Sequence, residues 1–173
     1  MDKNKQPLII PEAIKKDWRL PRSLYIVTTM LILALLFYWL PFYQTIDSSM
    51  AVIQYQGWTA TFANNGTLHP SIIAIVGFVL QIIAALSALT FALLLKLRRS
   101  DGRRRFSLIV ISLIMIIVSF IFNFLAIVEF KQINDLSLLT VKYDYGLILN
   151  GMFLLATIYI EWFFLIKIRY YLK

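Results

Sequence analysis

Four long apolar blocks, separated by shorter polar stretches, dominate the pattern of this chain. They cover about residues 24–43, 72–95, 106–128 and 146–168. Each is close to the roughly 20 residues that a helix needs to cross the hydrocarbon core of a bilayer. Of the 173 residues, 60% are hydrophobic, against about 45–50% in a typical soluble domain. The pattern predicts an all-α integral membrane protein, an antiparallel bundle of four transmembrane helices over residues 23–173.

The segment before the first block, residues 1–22, is polar and basic. Pro11 suits the first position of a helix, and Ile10, Ile14 and Trp18 then recur every four residues. We expect a short amphipathic helix on the cytoplasmic membrane surface, with a disordered tail as the alternative.

The first outer segment, residues 44–70, carries the period-two alternation of a β-strand. Ala51, Ile53 and Tyr55 alternate with polar neighbours, and the alternation resumes on the other parity after Gly57. A phase change at a glycine suggests a β-bulge, and Asn64-Asn65-Gly66 is a tight-turn signal. We therefore predict a small extracytoplasmic β-hairpin between the first two membrane helices. The second outer segment, residues 129–145, is shorter and of mixed charge.

The distribution of basic residues predicts the orientation. The formal net charge is +8. Apart from Lys131 and Lys142, every Lys and Arg lies before the first block, in the turn 96–105, or from Lys167 at the end of the last block onward. Cations beside a membrane span stay on the cytoplasmic side, which places this turn and both chain ends inside the cell. The cations of the turn that set this topology are Lys96, Arg98, Arg99, Arg103, Arg104 and Arg105.

The expected location is therefore the cell membrane, as a multi-pass protein, with the bacterial cytoplasmic membrane as the specific expectation. Attraction to anionic lipid headgroups accounts for the basic charge without a nucleic-acid partner.

A stripe of small residues marks one face of the second predicted helix. Such residues let another helix approach closely within a membrane. The face therefore packs either inside the monomer or against a second copy in a homo-oligomer. Around Gln81, the stripe consists of Ala74, Gly77, Ala84, Ala88 and Ala92.

Glu161 is the acidic residue that lies well inside a predicted span. Ser112, Thr90 and either Thr28 or Thr29 lie at similar depth on the other three helices, so we expect a ring of hydroxyls around this carboxyl. An intramembrane acid indicates proton or ion binding. The alternative is structural, with Glu161 paired to Arg22 or Lys96.

Two asparagines lie at matching depth nearer the outer boundary. Asn123 and Asn150 are predicted to hydrogen-bond across the third and fourth helices and to set their register. Gln81 is too polar to face lipid and is expected inside the bundle.

Several kinds of chemistry have no residues to support them in this sequence. The chain has no cysteine, and His69 is its one histidine. No nucleophile-elbow, zinc-protease or phosphate-loop motif is present. We therefore expect no enzyme activity, metal or cofactor.

The layout resembles that of claudin-type four-helix proteins. The shared features are both termini inside, a larger first outer segment of strand character containing Gly57-Trp58, and a smaller second one. Claudins carry a cysteine pair in that first segment, which this chain lacks. The resemblance is topological and implies no function.

These features leave the biochemical role open and favour a non-enzymatic membrane protein that binds a partner, such as another membrane protein, either as an accessory subunit or through its outer hairpin. Tyr55, Trp58 and Phe62 are the candidate contacts in the outer segment. The alternative is a small oligomeric transporter or channel that uses Glu161 and Gln81 along a pathway.

Overall fold

The computed structural model describes residues 19–46, 51–63, 68–96, 102–136 and 139–171. Side chains are described for residues 22–46, 51–63, 68–94, 107–136 and 139–167. The predicted helix near Pro11, the Asn64-Asn65-Gly66 turn and the arginine side chains of the basic turn lie outside these ranges. The elements are α1 (Arg19–Leu36), a 3-10 helix (Phe37–Trp39), β1 (Pro41–Ile46), β2 (Val52–Gln56), α2 (Gly57–Phe62), α3 (Ile72–Lys96), α4 (Gly102–Ile133), β3 (Thr140–Tyr143) and α5 (Tyr145–Tyr171).

The prediction of four long apolar helices is confirmed. Within the described residues, α1, α3, α4 and α5 are each long and apolar enough to cross a membrane. The strands lie at one side of the bundle, where α1 and α4 end and where α3 and α5 begin. Successive long helices therefore alternate in direction. We call this side of the bundle the sheet end.

Two predicted boundaries were wrong at the sheet end. The first apolar block was predicted to remain helical to residue 43, but β1 already begins at Pro41. Proline has no backbone N–H and disfavours a helical residue before it, and Leu40 is accordingly extended. Helix α4 continues to Ile133, past the predicted end at residue 128. Its extra turn includes Glu129, whose carboxylate accepts hydrogen bonds from Ile73 N and the Ser71 hydroxyl.

Glu129 and Ser71 together cap the start of α3. Ser71 Oγ accepts a hydrogen bond from Ala74 N at 3.1 Å, as a serine at an N-cap does. Glu129 Oε2 accepts from Ile73 N at 2.7 Å. Two of the backbone N–H groups that a helix start leaves unsatisfied are therefore paired, one by a residue from a neighbouring helix.

The long helices pack as a ring of four neighbours. Helix α1 contacts α3 and α5, and α4 contacts the same two helices. The small-residue face of α3 is buried within this ring, so it packs against the other helices of the same chain. Its buried members are Ala74, Gly77, Ala84, Ala88 and Ala92.

The apolar core forms three levels along the bundle. The level farthest from the sheet contains Phe91, Ile109 and Phe164. The middle level contains Leu31, Ala84 and Ile116, and the level at the sheet contains Tyr38, Phe130 and Leu147. The polar residues discussed below lie between or within these levels.

The strands form one antiparallel sheet in the order β2-β1-β3. The prediction of a small β element with a strand in the first connecting segment is confirmed by β2, which pairs with β1, for example Ile53 with Thr45. The sequence did not predict β3, which comes from the second outer segment and pairs Tyr143 with Tyr43. The sheet therefore joins both connecting segments, with β1 in the middle.

The predicted continuation of the strand after Gly57 was wrong, because Gly57–Phe62 forms the short helix α2. Gly57 N donates to Leu40 O at 2.9 Å, and a Cβ at Gly57 would lie 2.7 Å from the Phe42 ring. This close contact ends the strand and accounts for the glycine. The register shift that was expected at Gly57 occurs instead between Pro41 and Tyr43 on β1.

Candidate functional site: polar residues inside the bundle and the sheet end

The faces of the long helices that point away from the bundle are apolar. Large side chains on all four helices are exposed, among them Leu36, Leu86, Leu125 and Met152. By contrast, the polar side chains in the middle of these helices are mostly buried. The buried polar set includes Thr28, Gln81, Ser112, Ser119, Asn123, Asn150, Thr157 and Glu161.

The predicted hydrogen bond between α4 and α5 is present. Asn123 Nδ2 donates to Asn150 Oδ1 at 3.2 Å, and Asn150 Nδ2 donates to Ala34 O on α1 at 2.7 Å. The Tyr38 hydroxyl then donates to Asn123 Oδ1 at 2.8 Å. These residues form a buried chain that begins and ends near the same end of α1.

Tyr38 was missed as part of this network. It lies in the aromatic run 37–43, which in sequence is typical of residues at a membrane–water boundary. Tyr38 is instead fully buried, whereas its neighbour Trp39 is mostly exposed. The 3-10 helix turns these two side chains to different sides. The sequence does not show which of them points into the bundle.

Helix α3 joins the network through its backbone. Ser119 Oγ on α4 donates to Gly77 O at 2.8 Å. A Cβ at Gly77 would lie 2.6 Å from Asn123 Oδ1, so only glycine leaves room for the asparagine. Polar contacts therefore connect all four long helices in the half of the bundle nearest the sheet.

Glu161 lies fully buried on α5 in the other half of the bundle. Its Oε1 is 2.8 Å from Ser112 Oγ, and the same hydroxyl lies 3.1 Å from Ala84 O on α3. Glu161 Oε2 has no hydrogen-bond partner among the residues that the structure describes. Ser112 thus links the acid to α3 as well as to α4.

Of the hydroxyls expected around Glu161, that of Ser112 contacts the carboxyl group. Thr28, Thr29 and Thr90 each donate to the carbonyl four residues earlier in their own helix, and Thr29 and Thr90 are exposed. The prediction that Thr90 faces the interior was wrong. It lies two residues from both Ala88 and Ala92, which is about 200° around a helix of 3.6 residues per turn.

Gln81 is fully buried, as predicted. Its Nε2 lies 3.5 Å from Leu31 O, at the long limit for a hydrogen bond, and its Oε1 has no partner among the described residues. Gln81 therefore tethers α3 to α1 only weakly.

Within the described side chains, the structure shows no ion pair between Glu161 and Arg22. Arg22 is exposed, and the side chain of Lys96 lies outside the described ranges, as do those of the rest of the basic turn. Glu161 has Ser112 as its described hydrogen-bond partner.

The candidate partner-contact residues lie at the sheet end with different exposures. Trp58 is 42% exposed and stacks on the more exposed Trp39, with ring centroids 5.7 Å apart and planes 1° from parallel. Phe62 packs against Trp58 and Phe78. Tyr55 is half-buried and packs on Phe130, so it contributes mainly to the core. Trp39, which sequence reasoning did not select, belongs to this exposed aromatic surface.

The two edge strands of the sheet differ in their protection. Strand β3 carries Lys142, and a charged residue on an edge discourages further pairing. Strand β2 contains no charged residue and no proline, and it exposes Val52 and Ile53. Within the described residues β2 pairs with β1 alone. Its second edge therefore presents backbone hydrogen-bonding groups beside uncharged side chains.

Asp144 fixes the start of α5 against the sheet. Its Oδ1 accepts from Tyr145 N at 2.7 Å, and its Oδ2 accepts from Gln54 Nε2 of β2 at 2.9 Å. Its backbone N donates to Phe42 O at 2.8 Å. The acid that sequence reasoning left in a mixed-charge loop therefore connects β1, β2 and α5.

The described residues contain no group of three His, Asp or Glu that could hold a metal ion. His69 is exposed, and its backbone N and O lie against the side chain of Asn134. The contacts that the structure gives this histidine are those of a loop fixed to the end of α4.

No protein-family model, curated protein or solved structure matches this chain.

Proposed function

We propose that the protein is a four-span integral membrane protein. Its support is the distribution of side chains in the bundle, with exposed aliphatic residues around all four long helices and amide, hydroxyl and carboxyl groups inside. In water such an arrangement exposes a large apolar surface, whereas in a bilayer that surface faces lipid. By the positive-inside rule, the basic turn between α3 and α4 faces the cytoplasm and the sheet end faces outward.

We further propose that it is a non-enzymatic protein that binds another membrane protein at the sheet end. The observation that carries this proposal is the second edge of β2. An uncharged edge with exposed β-branched residues favours the addition of an extended segment from another chain. The protected edge at β3 makes the two sides of the sheet unequal, so the proposed partner adds on one side.

The occupant that fits this edge is an extended, uncharged segment of a neighbouring membrane protein. Charged side chains opposite Val52 and Ile53 would be desolvated without a counter-ion, because β2 offers none. The exposed Trp39–Trp58 stack lies at the end of α1, where the bundle meets the sheet. Tryptophan is enriched at membrane–water boundaries, so the partner segment is expected close to the membrane surface.

The burial of the interior polar groups favours this function over transport. Gln81, Asn150 and Glu161 are fully buried, and a transport pathway needs water or substrate to reach such groups. Transport through Glu161 remains the alternative, and flux assays distinguish the two.

The test uses a photoreactive amino acid in full-length protein in native membranes. At Ile53 it should crosslink to one membrane protein, whereas at the exposed Thr140 of β3 it should not. Val52→Lys with Ile53→Lys should abolish the crosslink and co-purification, and the matched Thr140→Lys should leave both intact. If crosslinking and co-purification persist with lysines at Val52 and Ile53, the proposal that a partner binds at the edge of β2 is overturned. Proton- or cation-driven flux in liposomes that Glu161→Gln removes would instead support the transport alternative.

A further inference from the structure

The contacts of Ser112 bear on the proton content of the buried acid. Ser112 Oγ lies within hydrogen-bonding distance of two oxygens, Ala84 O at 3.1 Å and Glu161 Oε1 at 2.8 Å. A serine hydroxyl has one hydrogen to donate and two lone pairs that accept. A carbonyl oxygen and an ionised carboxylate are both acceptors only, so the single hydrogen cannot point well at both.

A proton on Glu161 resolves this conflict. The carboxylic acid then donates to Ser112 Oγ, and the Ser112 hydroxyl donates to Ala84 O. Each short contact then has one hydrogen, and the line of donors runs from α5 through α4 to α3. Glu161 Oε2 is left as an acceptor without a described partner, which costs less for a neutral acid than for an ionised carboxylate.

The surroundings of the pair are apolar on both sides along the helices. Ile109 and Phe164 belong to the core level farther from the sheet, and Ile116 belongs to the middle level. A charged carboxylate in such surroundings needs a paired cation.

Tyr25 of α1 is a titratable group that packs against the core level containing Ile109 and Phe164. The charged groups on this side lie toward the end of the bundle opposite the sheet. On α5, Lys167 follows Glu161 by about one and a half turns, and on α1 Arg22 is exposed. On α3 and α4 the corresponding groups are Lys96 and Arg103 to Arg105, whose side chains lie outside the described ranges.

We propose that Glu161 and Ser112 form a proton-binding site that couples the packing of three helices. With the proton bound, Ser112 is free to hold Ala84 O, and α3, α4 and α5 are linked. When the proton leaves, the Ser112 hydroxyl turns to the carboxylate and releases Ala84 O, so the contact between α4 and α3 weakens. The proposal concerns proton binding, and it stands whether or not the protein binds a partner at β2.

The sequence makes a direct measurement practical. The glutamates of the chain are Glu12, Glu129 and Glu161 alone. Carbon-13 labelling of glutamate side-chain carboxyls therefore gives a simple NMR spectrum, in which the signal missing from Glu161→Gln is that of Glu161. We expect this signal at the chemical shift of a carboxylic acid in buffer where free glutamate is ionised. If Glu161→Gln does not fold, specific labelling of the peptide that contains Glu161 by segmental ligation assigns the signal in the unaltered chain.

Ser112→Ala and Ser119→Ala form a matched pair of variants. Both serines are fully buried on α4 and each donates to a carbonyl of α3, but only Ser112 contacts Glu161. Ser112→Ala should shift the Glu161 signal and change its response to pH, whereas Ser119→Ala should leave both unchanged. An ionised Glu161 signal throughout the pH range in which the protein is folded would overturn the proposal. A signal that responds to added sodium ion at constant pH would also overturn it, in favour of a metal-cation site.

Discussion

Gly77 on α3 and Asn123 on α4 are so close that a Cβ at position 77 would lie 2.6 Å from Asn123 Oδ1. That oxygen accepts the Tyr38 hydroxyl, and the same side chain donates to Asn150. The space left by one missing methyl group therefore determines whether the buried chain of polar contacts can form.

Gly77→Ala is expected to destabilise the bundle by about 1–3 kcal/mol, the usual cost of overpacking a close-packed site. The added methyl must push Asn123 away and break its contacts with Tyr38 and Asn150. Thermal unfolding in detergent measures the effect. The neighbouring Val76 is exposed, and Val76→Ala should change stability by less than about 0.5 kcal/mol. Equal effects of the two variants would contradict the proposed role of Gly77.

Tyr38 and Asn123 should be energetically coupled. In a double-mutant cycle with Tyr38→Phe and Asn123→Ala, we expect a coupling energy of about 0.6 kcal/mol, the average for hydrogen bonds between membrane helices. Reversible unfolding of the four proteins in mixed micelles measures it. The control is a second cycle in which Tyr159→Phe takes the place of Tyr38→Phe. Because Tyr159 is 71% exposed on α5, its coupling energy with Asn123 should be zero within error.

Gly146 and Gly151 on α5 should respond differently to alanine. A Cβ at Gly146 would lie 2.5 Å from Pro41 O, a backbone atom, whereas a Cβ at Gly151 would lie 2.9 Å from the Phe124 ring. A ring can rotate, but the backbone at the start of β1 is held by the sheet. We expect Gly146→Ala to cost about 3 kcal/mol and Gly151→Ala about 1 kcal/mol. Chemical denaturation of the two variants tests the order, and a larger loss for Gly151→Ala would contradict it.

Tyr43 should make the protein less stable in alkali. Burial in the sheet raises the pKa of its phenol well above the usual 10.0, and the nearby Tyr38, Tyr143 and Glu129 add to the effect. Below the unfolded-state value the folded and unfolded chains both hold the proton, so this stabilisation is complete. At higher pH the unfolded chain releases the proton first, and stability falls by about 1.4 kcal/mol per pH unit for one such group.

Tyr43→Phe removes this contribution. The difference in the free energy of unfolding between the variant and the unaltered protein should be constant below about pH 9. Above about pH 10 it should change in favour of the variant. A stability difference that stays constant across the whole range would show that Tyr43 does not titrate with unfolding.

The helices and the Asn123–Asn150 contact were predictable because helical geometry converts sequence position into depth. A constant rise of 1.5 Å per residue places two asparagines at the same level even when nothing is known of their neighbours. The same reasoning failed for Thr90, since matching depth does not ensure that a residue points inward. Its position relative to Ala88 and Ala92 would have excluded it.

The sheet was harder to predict. Strand β3 spans only Thr140–Tyr143, too short for period-two alternation to be distinct, and β1 begins within an apolar run that also continues a helix. Both strands form because of partners distant in sequence, as Tyr43 and Tyr143 show. The sequence also could not show that one oxygen of Glu161 has no partner among the described residues, because this depends on which hydroxyls turn toward the acid and which bond to their own helices.

The position of β1 in the middle of the sheet also constrains the order of events during synthesis. Its pairing with β2 becomes available as soon as the first connecting segment has left the ribosome. Its pairing with β3 must wait until α3, α4 and residues 140–143 have also been translated. Until then β1 has an unpaired edge, which leaves the nascent protein open to pairing with a wrong strand.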